Sequence, residues 1–415
     1  MYTKIKKCRI CGNENLVSII DLGMQKLTGV FPRTDQIVNE GPLELVKCMP
    51  KDGEECCGLV QLRHSCAGEE MYGVNYGYRS GLNQDMVNHL GDIVETIENI
   101  VQLVDGDTVL DIGSNDATLL KSYKYDNLDL IGMDPTGIKF KKYYTDNIQL
   151  VADFFSADNF KGIRGEKKAK VITSIAMFYD LEEPQSFVND IEKILDDNGI
   201  WILEQSYLPA MLDTNSYDTI CQEHLDFYCL AQIQWLVEKA GMKIIDVHQN
   251  KVNGGSFQLV VAKKLSDFEI NKRVVELEKW EKECGYSTLH PFQEFRSKVE
   301  LHREQLLNFL KTEKSKGKTI LGYGASTKGN VLLQYCGITT EYITAIAEVN
   351  EDKFGCVTPG TNIPIISEKE ARSMNPDYFI VLPWHFRDFI LNKEKDYREE
   401  TNCKFVFPLP SFEIV

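Results

Sequence analysis

Between residues 108 and 263 short apolar runs recur among longer amphipathic stretches. TVLDIG, LDLIGMD, AKVITSI and GIWILEQ come first, and two more runs follow at 241–247 and 256–263. Apolar runs of this length, separated by helix-forming segments, are the mark of strands buried on both faces of a parallel sheet. The alternation therefore predicts an α/β chain with a doubly wound, Rossmann-like central sheet. Just before it, residues 84–103 carry Met86, Leu90, Ile93, Val94, Ile97, Ile100 and Val101 at spacings of three and four, an amphipathic helix.

A second unit of the same kind follows. Residues 266–316 are helical in pattern and highly charged, and then KTILGYGAS, YITAIAEVN and DYFIVLPWH alternate with helical stretches. At 415 residues the chain is too long for one ordinary core. The expected domains are 1–80, rich in Cys and Gly; a catalytic unit over 81–265; a helical connector over 266–316; and a second Rossmann-like unit over 317–415. No internal repeat is visible in the sequence.

The formal charge of −16 argues against nucleic acid as a partner, since such binding requires Lys and Arg to displace phosphate counterions. Apolar content of 43% and charged content of 26% are those of a globular protein. Neither a secretory h-region nor an apolar run of about 18 residues is seen, so no membrane partner and a cytoplasmic location are expected. Twelve cysteines in that setting read as thiols or metal ligands.

TVLDIGSNDATLL reads as strand, sharp turn and helix. Asp111 ends the strand, Gly113 turns beside a ligand, and Ser114, Asn115 and Asp116 fall at the helix start with free N–H groups. Twenty-three residues beyond Asp111 the next strand ends in Asp134, placed to bind a ribose. Asp153 and Phe154 follow the third strand as a carboxylate and an aromatic face for an adenine. The turn lacks the glycines of G-x-G-x-x-G, which suits adenosylmethionine better than a dinucleotide.

Cys8 and Cys11 form C-x2-C, and Cys48, Cys56 and Cys57 lie about forty residues on. Four thiolates in two turns suit a closed, structural zinc site. Cys57, which precedes Gly58, is the favoured fourth ligand beside Cys48, with Cys56 as substitute. Farther on, Glu223 and His224 lie among apolar residues past the fourth strand, at the edge where open α/β sheets bind ligands. A partly desolvated His there is a candidate general base, with the carboxylate fixing its tautomer or raising its basicity; a structural pair is equally consistent. Asn253, Gly254 and Ser256 belong to NGGSF, a polar loop that either meets a substrate or turns a hairpin.

In order, CRICG, CGLVQL, YGYRSG, LDIGSNDATLL, QEHLDFY, NGGSF, YGASTKGN and LPWHF run from Cys8 almost to the C-terminus. With these the chain resembles the sugar C-methyltransferases of deoxysugar biosynthesis, the three-domain C-3'-methyltransferase type. The resemblance implies a zinc-binding N-terminal domain, a central adenosylmethionine domain and a C-terminal Rossmann-like domain that helps hold a nucleotide-linked keto-deoxysugar. It implies His224 as the base beside the ketone with Glu223 next to it, and Tyr76 or Tyr78 pointing into the site. Gly324, Ser326 and Lys328 match the C-terminal motif. The chain departs from the family at Cys221, where a Tyr is common, at Ala117, where a Gly is common, and at MFYD, residues 177–180, where others carry a histidine.

These expectations amount to enolate formation by His224 and methylation at the neighbouring carbon, by a monomer or small homo-oligomer. The rival readings are a sugar O-methyltransferase, an NAD-dependent oxidoreductase using two Rossmann-like units, and a zinc-bearing binding protein with an inactive core.

Overall fold

The structure, a computed structural model, describes residues 2–51, 53–66, 79–125 and 127–415; the elements below are those of the described residues. Strands β1 (Tyr2–Lys4), β2 (Leu16–Lys26), β3 (Glu40–Cys48), β4 (Val60–Leu62) and β5 (His64–Cys66) come first, with β2, β3 and β4 forming an antiparallel sheet. The central sheet is built from β6 (Thr108–Ile112), β7 (Asp129–Met133), β8 (Ile148–Val151), β9 (Ala169–Ile175) and β10 (Leu195–Ser206). After them come β11 (Asp226–Phe227), β12 (Met242–Asn250) and β13 (Ser256–Lys263). The seven-stranded order is β12-β13-β10-β9-β6-β7-β8, and β11 leaves it to pair with β4 of the first sheet. That pairing carries the loop around His224 onto the N-terminal sheet.

Alternation along the strands decides the layers. Val109, Leu130, Val171 and Ile202 pack with Leu90, Ile93 and Ile97 of the helix Gln84–Ile100. Their neighbours Leu110, Ile131, Ile172 and Leu203 pack on the other face with Val188, Ile191, Ile233 and Leu236. Burying each such side chain contributes about 1.5–3 kcal/mol, set against the entropy of ordering the chain.

Two expectations need correction. The sheet is not wholly parallel: β13 runs antiparallel to both β10 and β12. Only residues 251–255 join β12 to β13, and so short a connection cannot make the crossover that a parallel pair needs. Nor does a helix follow β6. Asn115 and Ala117 take φ of 50° and 60°, and only a short 3₁₀ turn forms, at Leu120–Ser122. Left-handed residues cannot continue a right-handed helix.

The second sheet holds β14 (Ile320–Tyr323), β15 (Ile346–Glu348), β16 (Ile365–Ser367), β17 (Tyr378–Val381), β18 (Lys404–Phe407) and β19 (Glu413–Ile414). Its order is β16-β15-β14-β17-β18-β19, parallel but for the last strand. Helices Lys272–Glu283 and His290–Ser315 lie between the sheets in sequence. The longer one buries Phe292, Phe295, Val299, Leu306 and Leu310 in a core shared with the N-terminal and C-terminal sheets. The two Rossmann-like sheets repeat one device that the sequence does not display. Asp134 accepts the Asn115 amide at 2.8 Å, and Glu348 accepts the Ala325 amide at 2.9 Å, so each second strand ends in an acid that grips the turn after the first. No helix of the described residues is long and apolar enough to cross a membrane.

Candidate active site and metal centre

The sulfurs of Cys8, Cys11, Cys48 and Cys57 lie within 4.8 Å of one another. Two alike turns bring them there, each with a glycine after its last cysteine, Gly12 at φ 74° and Gly58 at φ 72°. Residues with side chains adopt that backbone reluctantly. Cys56, the adjacent thiol, points instead at the Cys48 carbonyl, 3.7 Å away. Four converging thiols with no oxygen or open position are the donor set of structural zinc.

The cofactor cleft lies at the C-terminal ends of β6, β7 and β8. Asp134 accepts from the Asn115 amide and, through its other oxygen, from the amide and hydroxyl of Thr136 at 2.6 and 2.7 Å. A carboxylate has about four acceptor directions, so one is left for a ribose. The Asn115 amide is therefore occupied, not free as the sequence reading had it. Asp116 accepts from the Gly81 amide and from Thr118, and Asn115 accepts from the Ser80 amide, so residues 80–81 lie across the turn. Asp111 sits deeper: Thr173 donates to it at 2.6 Å, and burial pushes its carboxyl up to about 7 against that bond. A Cβ on Gly113 would press on Met177 at 3.2 Å, and the φ of 73° there disfavours any side chain. Asp153 and Phe154 are exposed, Phe154 by 65%, and offer a carboxylate and a ring face. These residues fit adenosylmethionine.

A small, partly open cavity lies beside this cleft, lined among others by Tyr179, Thr219, His224, Asn253 and Gly254. Nδ1 of His224 is 2.9 Å from the Thr219 carbonyl. A carbonyl can only accept, so Nδ1 carries the hydrogen and Nε2 is the basic nitrogen. Burial, and then the Lys328 charge, lower its pKa to about 4, so the ring is neutral near pH 7. Glu223 does not set the tautomer, contrary to expectation. Its carboxyl turns to the N-terminal segment, where a Cβ on Gly29 would stand 2.1 Å from Oε1, and burial raises it to about 7.

The C-terminal unit closes this region. Lys328 donates to the Asn253 carbonyl at 2.9 Å, and Trp384 donates to Asp218 at 2.8 Å. Gly324 has a packing role, since a Cβ there would meet Pro383 at 2.6 Å, and Ser326 caps the helix Thr327–Cys336 through the Gly329 amide. Ser256 closes its hairpin onto the Val252 carbonyl. NGGSF is thus a hairpin turn and a cavity wall at once. Tyr76 and Tyr78 lie outside the described residues. Tyr179, Asp218, Thr219 and Trp384 were not singled out in the sequence, although MFYD, the stretch 217–230 around His224 and LPWHF contain them.

Fold and cleft define a class I, adenosylmethionine-dependent methyltransferase, and residues 84–247 match a methyltransferase domain model. Residues 8–72 match a zinc binding domain model, and 251–410 match the model described as a C-methyltransferase C-terminal domain. The chain is 27% identical to the C-methyltransferase NovU of Streptomyces niveus, over 99% of this chain and 97% of that one. Among solved structures, mitomycin 7-O-methyltransferase MmcR is 11% identical at a TM-score of 0.35, covering 44% of this chain and 55% of that one. An O-methyltransferase family protein from Burkholderia thailandensis is 16% identical at 0.36, covering 48% and 63%. The three domain models and the full-length relative together support an adenosylmethionine-dependent C-methyltransferase with a zinc-binding N-terminal domain, with adenosylmethionine and zinc as its cofactors.

Proposed function

We propose that the enzyme methylates the carbon next to the ketone, C-3', of a nucleotide-linked 4-keto-6-deoxy sugar, with His224 as the base. The observation that carries this reading is the Thr219 carbonyl on Nδ1 of His224, which presents a neutral imidazole with Nε2 as its acceptor in a cavity beside the cofactor cleft. A ketone acidifies the neighbouring C–H, and Nε2 takes that proton while the C–H electron pair passes into the enolate. The Lys328 ammonium, which weakens His224 as a base, favours the enolate's negative charge, so it need not slow the step. Bound adenosylmethionine supplies an electrophilic methyl group.

Asp134, Asn115, Asp153 and Phe154 would hold that cofactor, and Cys8, Cys11, Cys48 and Cys57 the zinc. Lys328 and the Asn253–Gly254 loop face the sugar nucleotide. The charge of Lys328, bonded to the Asn253 carbonyl at the cavity wall, suits an anionic arm on the substrate.

The test replaces the methyl donor by S-adenosylhomocysteine and follows exchange of the ketone's α-hydrogen with deuterated water. With dTDP-4-keto-6-deoxyglucose as probe, the wild-type enzyme exchanges and His224→Asn does not, while both ligands still bind. Turnover in that variant falls by two or more orders of magnitude, about the worth of a general base. Absence of wild-type exchange would favour O-methylation or another substrate.

A further inference from the structure

We propose that Arg9, the residue after Cys8 in the metal knuckle, is a positioning residue for the base: it holds the strand that follows His224. This rests on the assignment of His224 as the base. The N-terminal domain grips the loop that carries His224 along its whole length. Ahead of the base, Gln222 accepts the Thr28 hydroxyl at 3.0 Å and donates to the Gln25 carbonyl at 3.3 Å. Behind it, the Leu62 amide donates to the Leu225 carbonyl at 2.8 Å. Strand β11 then pairs with β4, Asp226 opposite Gln61 and Phe227 opposite Val60. Those contacts are all between neutral groups, and Arg9 adds the charged one.

The Arg9 side chain is 3% exposed and that of Asp226 is fully buried, with Nη1 lying 3.7 Å from Oδ1. The other Asp226 oxygen accepts the Tyr228 hydroxyl at 3.0 Å, whereas Oδ1 has no hydrogen-bond donor among the described residues. Arg9 is thus the cation that compensates that oxygen. Its Nη1 also donates to the Leu62 carbonyl at 2.8 Å, and its backbone amide donates to the Gln61 side chain at 3.1 Å. One residue therefore holds both β4 and β11. Nη2 donates to the Ser65 hydroxyl at 2.8 Å and Nε to Glu182 at 3.2 Å. A residue serving only the metal would aim its guanidinium at the thiolates; this one spends its fork on the strands behind the base.

The consequence follows from how a base works. Removing one partner of a buried ion pair leaves an uncompensated charge, which draws its segment toward water. Asp226 is two residues from His224, so a shift of β11 is passed to the ring. A misplacement of about 1 Å at a reacting group can cost on the order of 10²-fold in rate.

The variants are Arg9→Met and Asp226→Asn in the full, zinc-loaded chain, with the probe and S-adenosylhomocysteine as above. Arg9→Met keeps one zinc per chain by elemental analysis and binds the probe within about threefold of wild type, while exchange at saturating probe falls about tenfold or more. Asp226→Asn loses exchange similarly. The double variant is no slower than Arg9→Met alone, since residues that act as a unit do not add. A readout independent of turnover is the ¹⁵N-histidine NMR spectrum, uncrowded with seven histidines, in which His224 is assigned by its absence from His224→Asn. Wild type shows the hydrogen on Nδ1 alone, and Arg9→Met shows a mixture of tautomers. Exchange in Arg9→Met within about twofold of wild type, additive losses in the double variant, or an unmoved His224 signal each overturns the inference and leaves His224 as the base. Where Arg9→Met loses zinc or does not fold, Asp226→Asn, which leaves the knuckle untouched and can still accept from Tyr228, carries the test on the same two readouts. If the wild-type enzyme itself fails to exchange, the base assignment falls, and the His224 signal alone still decides whether Arg9 positions that ring.

Discussion

Lys328, on the first helix of the C-terminal sheet, donates to the carbonyl oxygen of Asn253 in the hairpin of the central sheet, 2.9 Å away. This bond joins the two Rossmann-like units at the wall of the cavity that holds His224. Burial pulls the ammonium below the usual lysine range, against the opposing charges of Asp218 and Cys221.

The first prediction follows from that charge. Lys328 is the second cause, after burial, holding His224 at about 4. Removing a neighbouring positive charge raises a histidine's pKa, and a base works only when unprotonated. In Lys328→Met the acidic limb of kcat/KM therefore moves to higher pH, while the level on the plateau falls through loss of enolate stabilisation. A pH profile with an unmoved acidic limb would separate Lys328 from His224.

The zinc ligands are distinguishable by single substitutions. Cys57→Ser loses zinc and destabilises the N-terminal sheet, because a closed thiolate site contributes its binding energy to folding. Cys56→Ser, one residue away, keeps one zinc per chain. Elemental analysis of the two purified variants decides the matter, and equal zinc in both would remove Cys57 from the ligand set.

Gly29 and Glu223 give a third. An alanine Cβ at 29 would fall 2.1 Å from Oε1 of Glu223, the far end of a side chain that can swing away. Gly29→Ala is therefore expected to cost little stability, within about 1 kcal/mol, the scale of an ordinary tolerated substitution. Turnover should drop nonetheless if the Glu223 carboxyl, raised to about 7 by burial, acts beside the base. Unchanged kcat with unchanged melting temperature would make Glu223 a bystander.

Asp134 carries the cofactor prediction. Asp134→Ala leaves the Asn115 amide without its acceptor and removes the carboxylate offered to the ribose. Affinity for adenosylmethionine should weaken by about 1.5–3 kcal/mol, the worth of hydrogen bonds to a charged group. Titration calorimetry reads this directly, and an unchanged affinity would leave Asp134 with a purely local role in shaping the turn.

What the sequence determined by itself is what short-range physics controls. The period of the apolar residues forecast the helix Gln84–Ile100, six of the seven strands of the central sheet and three of the six of the second, because burial on two faces demands continuous apolar runs. The Cys-Gly turns marked the metal site, since a left-handed residue must follow each knuckle. The tertiary structure decided everything that needed two distant segments to meet. The antiparallel β13 followed from a loop length competing with an α/β pattern, and the missing helix after β6 from left-handed Asn115, bonded to Asp134, and left-handed Ala117. The His224 tautomer went to the Thr219 carbonyl rather than to the adjacent Glu223, because backbone folding, not sequence proximity, aims a ring nitrogen. The meetings of Tyr179 with His224 and of Lys328 with Asn253 span 45 and 75 residues. No local pattern encodes such pairs, because they are set by which strand edges and loops the packed core brings together.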